Sequence, residues 1–302
     1  MKKTNLKSDS LLLLTAMIWG LAFVAQRMGM DHVGPFTYSG VRFLLGAVSL
    51  LPLLFFFPET TPHTKDKPLP LFWKRWGGLL AGLLLFAGIS LQQVGLQYTT
   101  AGKAGFITGL YVVLVPIFGL LINHKTGLGT WIGAVLAVVG MYLLSVKGNF
   151  EIGQGDMLIF ISTGFWACHV LVIGWLSPYL HAIKLSIYQF TTTGIISLVI
   201  AFIIEPISFN GIYMAALPIL YGGLLSVGVA YTLQVIVQKT AHPAHAAIIL
   251  SLETVFAAIG GWLFLDERLG FRALVGCGFM FGGMILAQLN DRIFVNKPLR
   301  ID

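Results

Sequence analysis

A few polar side chains lie within long apolar stretches of this 302-residue chain. Such residues are functional candidates, because an ionisable group is costly to hold away from water. Glu253 is the sharpest example, since it lies about eight residues inside its apolar stretch and no other acid lies so deep. Burial disfavours a charged carboxyl, so Glu253 could bind a proton, a cationic substrate or Arg42. The alternative is a purely structural bond between helices.

Arg42 lies about six residues inside another apolar stretch. Its planar guanidinium can bind a carboxylate or phosphate through two parallel hydrogen bonds. Alternatively, the long side chain extends outward and anchors its helix at the membrane surface. Arg27 ends the first apolar stretch, and we interpret it as such an anchor.

Two glutamines occupy matched positions of an internal repeat, because an offset of 142 residues pairs Leu91-Gln92 with Leu233-Gln234. Glutamines from two helices can present donors and acceptors to one ligand from opposite sides. They can also serve only to hold the helices together.

Aromatic residues are repeated as well, since an offset of 147 residues pairs Trp19 with Trp166. Trp19, Phe23 and Gln26 follow i, i+4, i+7 spacing and share one helix face. His169 shares a face with Trp166 in the same way and can titrate near neutral pH, although a lone helical histidine is more often structural. These side chains could form an apolar pocket with few polar contacts, but ordinary packing explains any single one of them.

Tyr111 and Gln189 join the candidates because they match Glu253 and Arg42 in the repeat. The predicted substrate-binding set is Trp19, Gln26, Arg42, Gln92, Tyr111, Trp166, His169, Gln189, Gln234 and Glu253. Glu253 is also the candidate for proton coupling.

The elements that position these residues are membrane spans. Hydrophobic residues make up 57% of the chain, charged residues 10%, and the mean hydropathy is +0.85, far from a soluble domain. About 20 apolar residues cross a bilayer as a helix. Ten windows qualify, at about 10–28, 36–57, 74–96, 103–122, 128–146, 156–176, 184–204, 216–236, 245–265 and 271–289.

The repeat divides these windows into two sets of five. Because each set crosses the bilayer an odd number of times, the second copy must run in the opposite sense. We therefore predict an all-α integral membrane protein of ten transmembrane helices in two inverted repeats, at residues 10–146 and 156–289. In such folds the substrate site lies where the halves meet.

Charge placement predicts the orientation. With a cytoplasmic N-terminus, thirteen Lys and Arg residues lie inside, and only Lys103, Lys147, Arg268 and Arg272 lie outside, as the positive-inside rule expects. Both termini are then cytoplasmic, and the net charge of +7 reflects contact with lipid headgroups. We expect no nucleic-acid partner, because the chain has no basic soluble domain.

Enzyme chemistry has little support. Cys168 and Cys277 both fall inside spans, so a paired-cysteine metal site is not expected, and no cofactor motif is complete. Lys103 stands in a sequence similar to a phosphate-binding loop, but Gln97 replaces its first glycine. An intramembrane lipid-modifying enzyme would need several clustered acids or histidines, whereas the spans offer Glu253 and His169.

Several motifs resemble the EamA-type drug/metabolite transporter superfamily. They are Trp19-Gly20, Val41-Arg42-Phe43-Leu44-Leu45, Ser251-Leu252-Glu253-Thr254-Val255-Phe256-Ala257-Ala258 and Leu265-Asp266-Glu267-Arg268-Leu269. The resemblance covers roughly residues 10–290 and implies a ten-helix fold with a central cavity open to one side at a time. The chain departs from the family pattern at Asn123-His124-Lys125, where a leucine-glycine-glutamate signature is expected.

The sequence thus predicts a secondary-active exporter of small metabolites, such as amino acids or their derivatives, in a bacterial inner membrane. Arg42 would attract an anionic group and Glu253 an amino group or a proton. Efflux of lipophilic cations is the alternative, favoured if Glu253 faces the cavity without Arg42. Glycines in small-xxx-small registers fit helix packing within a monomer or contact between the copies of a homodimer.

Overall fold

The computed structural model describes residues 6–56, 69–124, 126–145, 153–266 and 270–294, and every regular element in these ranges is helical. The Glu267–Leu269 part of the family-like motif lies outside them. We number the membrane-crossing elements in chain order. They are α1 Leu6–Gly29, α2 Pro35–Leu50, α3 Leu71–Leu96, α4 Ala101–Leu121, α5 Leu128–Ser145, α6 Gln154–Leu176, α7 Ala182–Ile204, α8 Ala216–Gln238, α9 Pro243–Phe264 and α10 Phe271–Phe294. Short helices at Leu53–Phe56 and Phe209–Met214 follow α2 and precede α8.

The helices have the length and composition of a multi-pass membrane protein. Eight of those described are long and apolar enough to span a bilayer, and α5 and α10 carry shorter apolar helices at Leu128–Leu143 and Phe271–Leu286. α5 and α10 pack against each other. The predicted all-α membrane fold is confirmed.

Helix packing follows the internal repeat. α2 packs on α7 and α5 packs on α10, and each of these pairs joins a helix to its own repeat equivalent. α1 packs along α9, and the equivalent pair, α6 and α4, packs in the same way. α3 likewise packs on α6, and the equivalent helix α8 packs on α1. Exchanging the first five helices for the second five therefore reproduces the main contacts, as a pseudo-two-fold axis requires.

Contacts at the helix termini define two ends of the molecule. At the end where α1 finishes, which we name end B, the Arg27 guanidinium donates to the Gln97 carbonyl at 3.2 Å. At the same end the Glu205 carboxylate, after α7, accepts from the backbone N–H of Phe36 and Thr37 at the start of α2. End A is the opposite end, where α1 begins. α1, α3 and α7 therefore run toward end B, and α2 runs away from it.

Two helices are interrupted at repeat-equivalent positions. The sequence predicts continuous spans at 103–122 and 245–265, but α4 divides into Ala101–Gly109 and Tyr111–Leu121, and α9 into Pro243–Leu250 and Glu253–Phe264. Leu110 and its repeat equivalent Leu252 have φ/ψ of −60°/−13° and −62°/−11°, as in a tight 3₁₀ turn. Short 3₁₀ segments inside helices often mark functional positions.

The two interruptions pack against each other. The Thr254 hydroxyl donates to the Gly105 carbonyl at 2.9 Å, and a Cβ at Gly109 would lie 2.6 Å from that hydroxyl. Glycine permits this close approach of α4 and α9. Contact between the halves, rather than a local breaker such as proline, thus accompanies the tight turns.

α8 differs from its repeat equivalent α3 in the type of its helical turns. Its central residues Tyr221–Tyr231 form π-helical turns, with α-helical segments at Ala216–Leu220 and Thr232–Gln238 on either side. The equivalent part of α3 is regular α-helix. π-Helical turns are frequent at functional sites, and this one ends at a residue of the cavity described next.

Candidate functional site

A small cavity lies between the two halves, near the middle of the helices. It leaves about 30 Å³ for the centres of water molecules, which is room for about two waters. Seven helices contribute to it. Its lining residues are Trp19, Ala22, Phe23, Gln26, Arg42, Ile89, Gln92, Thr108, Tyr111, Trp166, His169, Val170, Ser226, Tyr231, Gln234 and Glu253.

Nine of the ten predicted site residues lie around this cavity. The exception is Gln189, which is fully buried on α7 behind His169. The Gln189 amide oxygen lies 2.8 Å from His169 Nε2, and because an amide oxygen only accepts, His169 donates. Gln189 therefore orients the imidazole instead of facing the cavity. The role of the whole set in substrate binding stays a prediction.

A hydrogen-bond network joins the amide side chains. Gln92 donates from Nε2 to Gln26 Oε1 at 3.4 Å, and its own Oε1 accepts from Trp166 Nε1 at 2.9 Å and from the Thr108 hydroxyl at 3.4 Å. Four helices from both halves thus hold one another through a single glutamine. The Oε1 atom of Gln234 has no hydrogen-bond partner in the described part of the chain.

Tyr231 lies at the centre of an aromatic cluster. Its ring centroid is 4.5 Å from that of Trp19 and 6.2 Å from that of Trp166. Phe43 and Phe190 each lie 6.0 Å away. Such pairs bury large apolar areas in well-defined geometry. Trp19, Trp166 and Tyr231 of this cluster also line the cavity, so part of its apolar wall is aromatic.

Arg42 is the cation of the cavity. It is 1% exposed, and its guanidinium lies over the rings of Tyr38 and Phe43 at 5.2 and 5.1 Å. Nη2 donates weakly to Gln26 Oε1 at 3.5 Å. Nε has no hydrogen-bond partner within the described residues, and among them Arg42 forms no ion pair. A buried guanidinium with unused donors is suited to bind an anion.

Glu253 is the carboxylate of the cavity, 4% exposed, at the first position after the interruption of α9. Its Oε1 has no hydrogen-bond partner in the described ranges. The Tyr111 hydroxyl lies close enough to interact electrostatically with it, but without a hydrogen bond of good geometry. The Tyr231 hydroxyl is within electrostatic range of both Glu253 and Arg42. The Arg42 guanidinium and the Glu253 carboxyl group thus line one cavity without forming an ion pair with each other among the described residues.

The comparisons with known proteins agree with this architecture. Residues 6–146 and 153–289 match the EamA-like transporter family. The chain belongs to this family. The predicted resemblance is confirmed, and the molecule is a membrane transporter and not an enzyme.

Relatives of this EamA-like transporter span most of its length. An uncharacterized transporter of Archaeoglobus fulgidus is 33% identical over 88% of this chain and 80% of its own. The uncharacterized inner membrane transporter YedA of Escherichia coli is 24% identical, covering 94% and 91%. A solved crystal structure, 16% identical, matches with a TM-score of 0.75 over 95% of this chain and 99% of that one. That structure shows the fold alone.

The sequence reasoning missed several residues that line the transporter's cavity, notably Thr108, Ser226 and Tyr231. Two of them had a usable signal. Thr108 precedes Tyr111 by three positions and Tyr231 precedes Gln234 by three, so each shares a helix face with a predicted residue. Ser226 lies within the π-helical turns of α8, where ordinary helical spacing does not apply.

Proposed function

We propose that this transporter exports small zwitterionic metabolites, such as amino acids or their derivatives, across a bacterial inner membrane by alternating access. In this proposal Arg42 binds the substrate carboxylate. Glu253 binds its amino group or, in the empty transporter, a proton that drives the exchange. The amide network holds further polar atoms, and the aromatic cluster around Tyr231 contacts the apolar part of the substrate.

One observation carries the proposal. Arg42 and Glu253 line the same cavity, are almost completely buried, and have polar atoms without partners in the described residues. Buried charges in proteins are normally paired. A ligand that carries one anionic and one cationic group would complete both, which makes a zwitterion the best match.

Efflux of lipophilic cations is the alternative that the sequence left open. A permanent cation in the cavity repels such substrates and costs further desolvation. Cation efflux was favoured only if Glu253 faced the cavity without Arg42. Because Arg42 and Glu253 both line the cavity, this condition is not met. The aromatic cluster serves an apolar amino-acid side chain equally well.

Alternating access is supported by the size of the cavity. Pockets for small molecules measure about 300–1,000 Å³, whereas this cavity has room for about two waters. A substrate therefore enters only if the halves separate. Because equivalent helices of the two halves run antiparallel, the halves can separate at one end of the molecule in the same way as at the other.

The decisive experiment is flux of labelled amino acids and matched analogues into liposomes that contain the purified protein. We expect uptake of a zwitterion to respond to an imposed pH gradient, while its methyl ester and its N-acetyl derivative are transported poorly. Transport of a lipophilic cation with no amino-acid flux would overturn the proposal.

The proposed orientation places both termini in the cytoplasm, on the basis of the thirteen-to-four charge bias. Single cysteines at residues 3, 148 and 297 test it with a membrane-impermeant thiol reagent in intact cells. We expect labelling at 148 alone. Labelling of one terminus without the other would contradict an even number of spans.

A further inference from the structure

We infer that two pairs of an acidic and a basic side chain, Asp9–His245 and Lys103–Asp156, are the gates of the transport cycle, each closing one end of the cavity. This inference rests on the proposed alternating access, because it assigns the contacts that such a cycle must break in turn. The two pairs lie outside the cavity and are not among the predicted site residues.

The end-A pair joins α1 to α9. Asp9 Oδ1 and His245 Nε2 are 3.0 Å apart, and the two side chains are 9% and 5% exposed. A carboxylate only accepts hydrogen bonds, so Nε2 donates. Because α1 belongs to the first half and α9 to the second, the pair crosses between the halves.

The end-B pair joins α4 to α6. Lys103 Nζ and Asp156 Oδ2 are 2.6 Å apart, with side chains 29% and 6% exposed. Asp156 also accepts from the Gly153 backbone N–H at 2.8 Å, which fixes its carboxylate at the start of α6. This pair again crosses between the halves, at the opposite end of the molecule.

The two pairs are equivalent in the internal repeat. The offset of 147 residues that pairs Trp19 with Trp166 also pairs Asp9 with Asp156, and the offset of 142 that pairs Tyr111 with Glu253 also pairs Lys103 with His245. The acid is therefore on the first helix of each half and the base on the fourth. Chance contacts between surface charges do not reproduce such a relation between halves.

Their distance from the cavity is equal as well. Asp9 and Asp156 each stand ten residues before the cavity tryptophan of their helix, which is about 15 Å along a helix. When the halves separate at one end, the pair at that end must break while the other persists. The structure has both pairs formed, and its cavity of about 30 Å³ for the centres of water molecules is smaller than a small-molecule site, as expected when neither end is open.

Accessibility of the cavity tests the gates without requiring a known substrate. The background carries Cys168→Ser and Cys277→Ser, and Ser226→Cys reports on the cavity. A membrane-impermeant maleimide is applied to membrane vesicles of either orientation. Asp9→Asn should raise the labelling rate from the end-A side about fivefold, and Lys103→Gln from the end-B side by a similar factor, as for loss of about one partly buried charge pair.

Two control variants leave both pairs intact: one removes a nearby charge that belongs to neither pair, and the other replaces one cation by another. Lys7→Gln removes an exposed charge beside Asp9, and Lys103→Arg retains a partner for Asp156. Both should label as the parent does. Equal labelling of Asp9→Asn and Lys103→Gln from both sides, or a shift of the two variants toward the same side, would overturn the inference.

A second arm covers variants that fold poorly. A short bifunctional thiol reagent joining Asp9→Cys to His245→Cys should lower labelling of residue 226 from end A at least about fivefold and leave labelling from end B intact. Equal labelling after cross-linking would refute the end-A gate. If the labelling shifts as expected while no zwitterion is transported, the result supports the gate inference and rejects only the proposed substrate.

Discussion

The two halves of the cavity place different chemistry at equivalent positions. Where the first half has Ala22 and Tyr111, the second has His169 and Glu253. The histidine and the carboxyl group that line the cavity therefore both come from the second half. The two halves have the same fold, but they carry different side chains at equivalent cavity positions. The cavity is therefore polar, and its two sides differ chemically.

The first half holds the permanent charge instead. Its Arg42 faces the cavity, while the equivalent Gln189 lies behind His169. A zwitterion bound between the halves would therefore have one orientation only, with its carboxylate toward α2 and its amino group toward α9. In the proposed function, the asymmetry of the cavity, rather than the symmetry of the fold, would orient the substrate.

The largest expected effect is a difference in proton-driven flux between variants of Glu253 and variants of its repeat equivalent, Tyr111. Glu253→Gln keeps the shape and most hydrogen bonds but cannot exchange a proton, so flux driven by a pH gradient should fall to background. Tyr111→Phe loses one hydroxyl and should cost less than about tenfold. The measurement is liposome flux across a range of pH, with thermal stability of each variant as a check on folding.

A folded Glu253→Gln protein with normal flux and an unchanged pH profile would remove the proton-coupling role. If flux falls only in proportion to the amount of folded protein, Glu253 serves to brace the helices.

A second comparison separates Arg42 from Gln189. Arg42→Lys keeps the charge but loses the planar pair of donors, so we expect the KM for a zwitterion to rise about tenfold, equal to about 1.4 kcal/mol. Inhibition by the corresponding methyl ester, which lacks the carboxylate, should stay unchanged. Gln189→Leu should change the KM for the zwitterion less, because that side chain does not face the cavity. An equal rise of the KM in Arg42→Lys and Gln189→Leu would contradict the different roles proposed for the two residues.

The smallest expected effect concerns helix packing beside Glu253. A Cβ at Gly20 would contact Phe256 and lie 2.5 Å from the Glu253 carbonyl oxygen, whereas the equivalent position of α6 already carries Ala167. Gly20→Ala should therefore lower stability by about 1–3 kcal/mol through overpacking. Ala167→Gly should lower it by less, about 0.5–1 kcal/mol. Thermal unfolding in detergent measures both, and the reverse order would contradict the close packing of α1 on α9.

The fold was predictable because its signals are long and repeated. Apolar windows of about 20 residues identify helices where the solvent is lipid, and the internal offsets identify equivalent ones. The interruptions at Leu110 and Leu252 were not predictable in this way. They coincide with contact between the halves, through Thr254 and Gly105, and local sequence carries no record of a contact between distant helices.

The candidate site was predictable to the extent that polarity is conspicuous in an apolar span. Arg42 and Glu253 stand out for this reason, and the structure places both at the cavity. Tyr231 does not stand out, because an aromatic side chain is ordinary in a membrane helix. Gln189 also stands out, but it contacts its neighbour His169 and does not face the cavity. The polarity of a buried residue indicates that it needs a hydrogen-bond partner, but it does not indicate which partner.

The interruptions of α4 and α9 give each of these helices two rigid arms joined by a pivot. The shorter arms carry Lys103 and His245, each about 10 Å from its pivot at a rise of 1.5 Å per residue. A rotation of about 10° at Leu110 or Leu252 moves the tip of such an arm by roughly 2 Å, enough to part a hydrogen bond. Because Tyr111 and Glu253 stand just beyond the same pivots, the proposed gates predict that a rearrangement at the cavity is transmitted to the end of the molecule at which each arm begins.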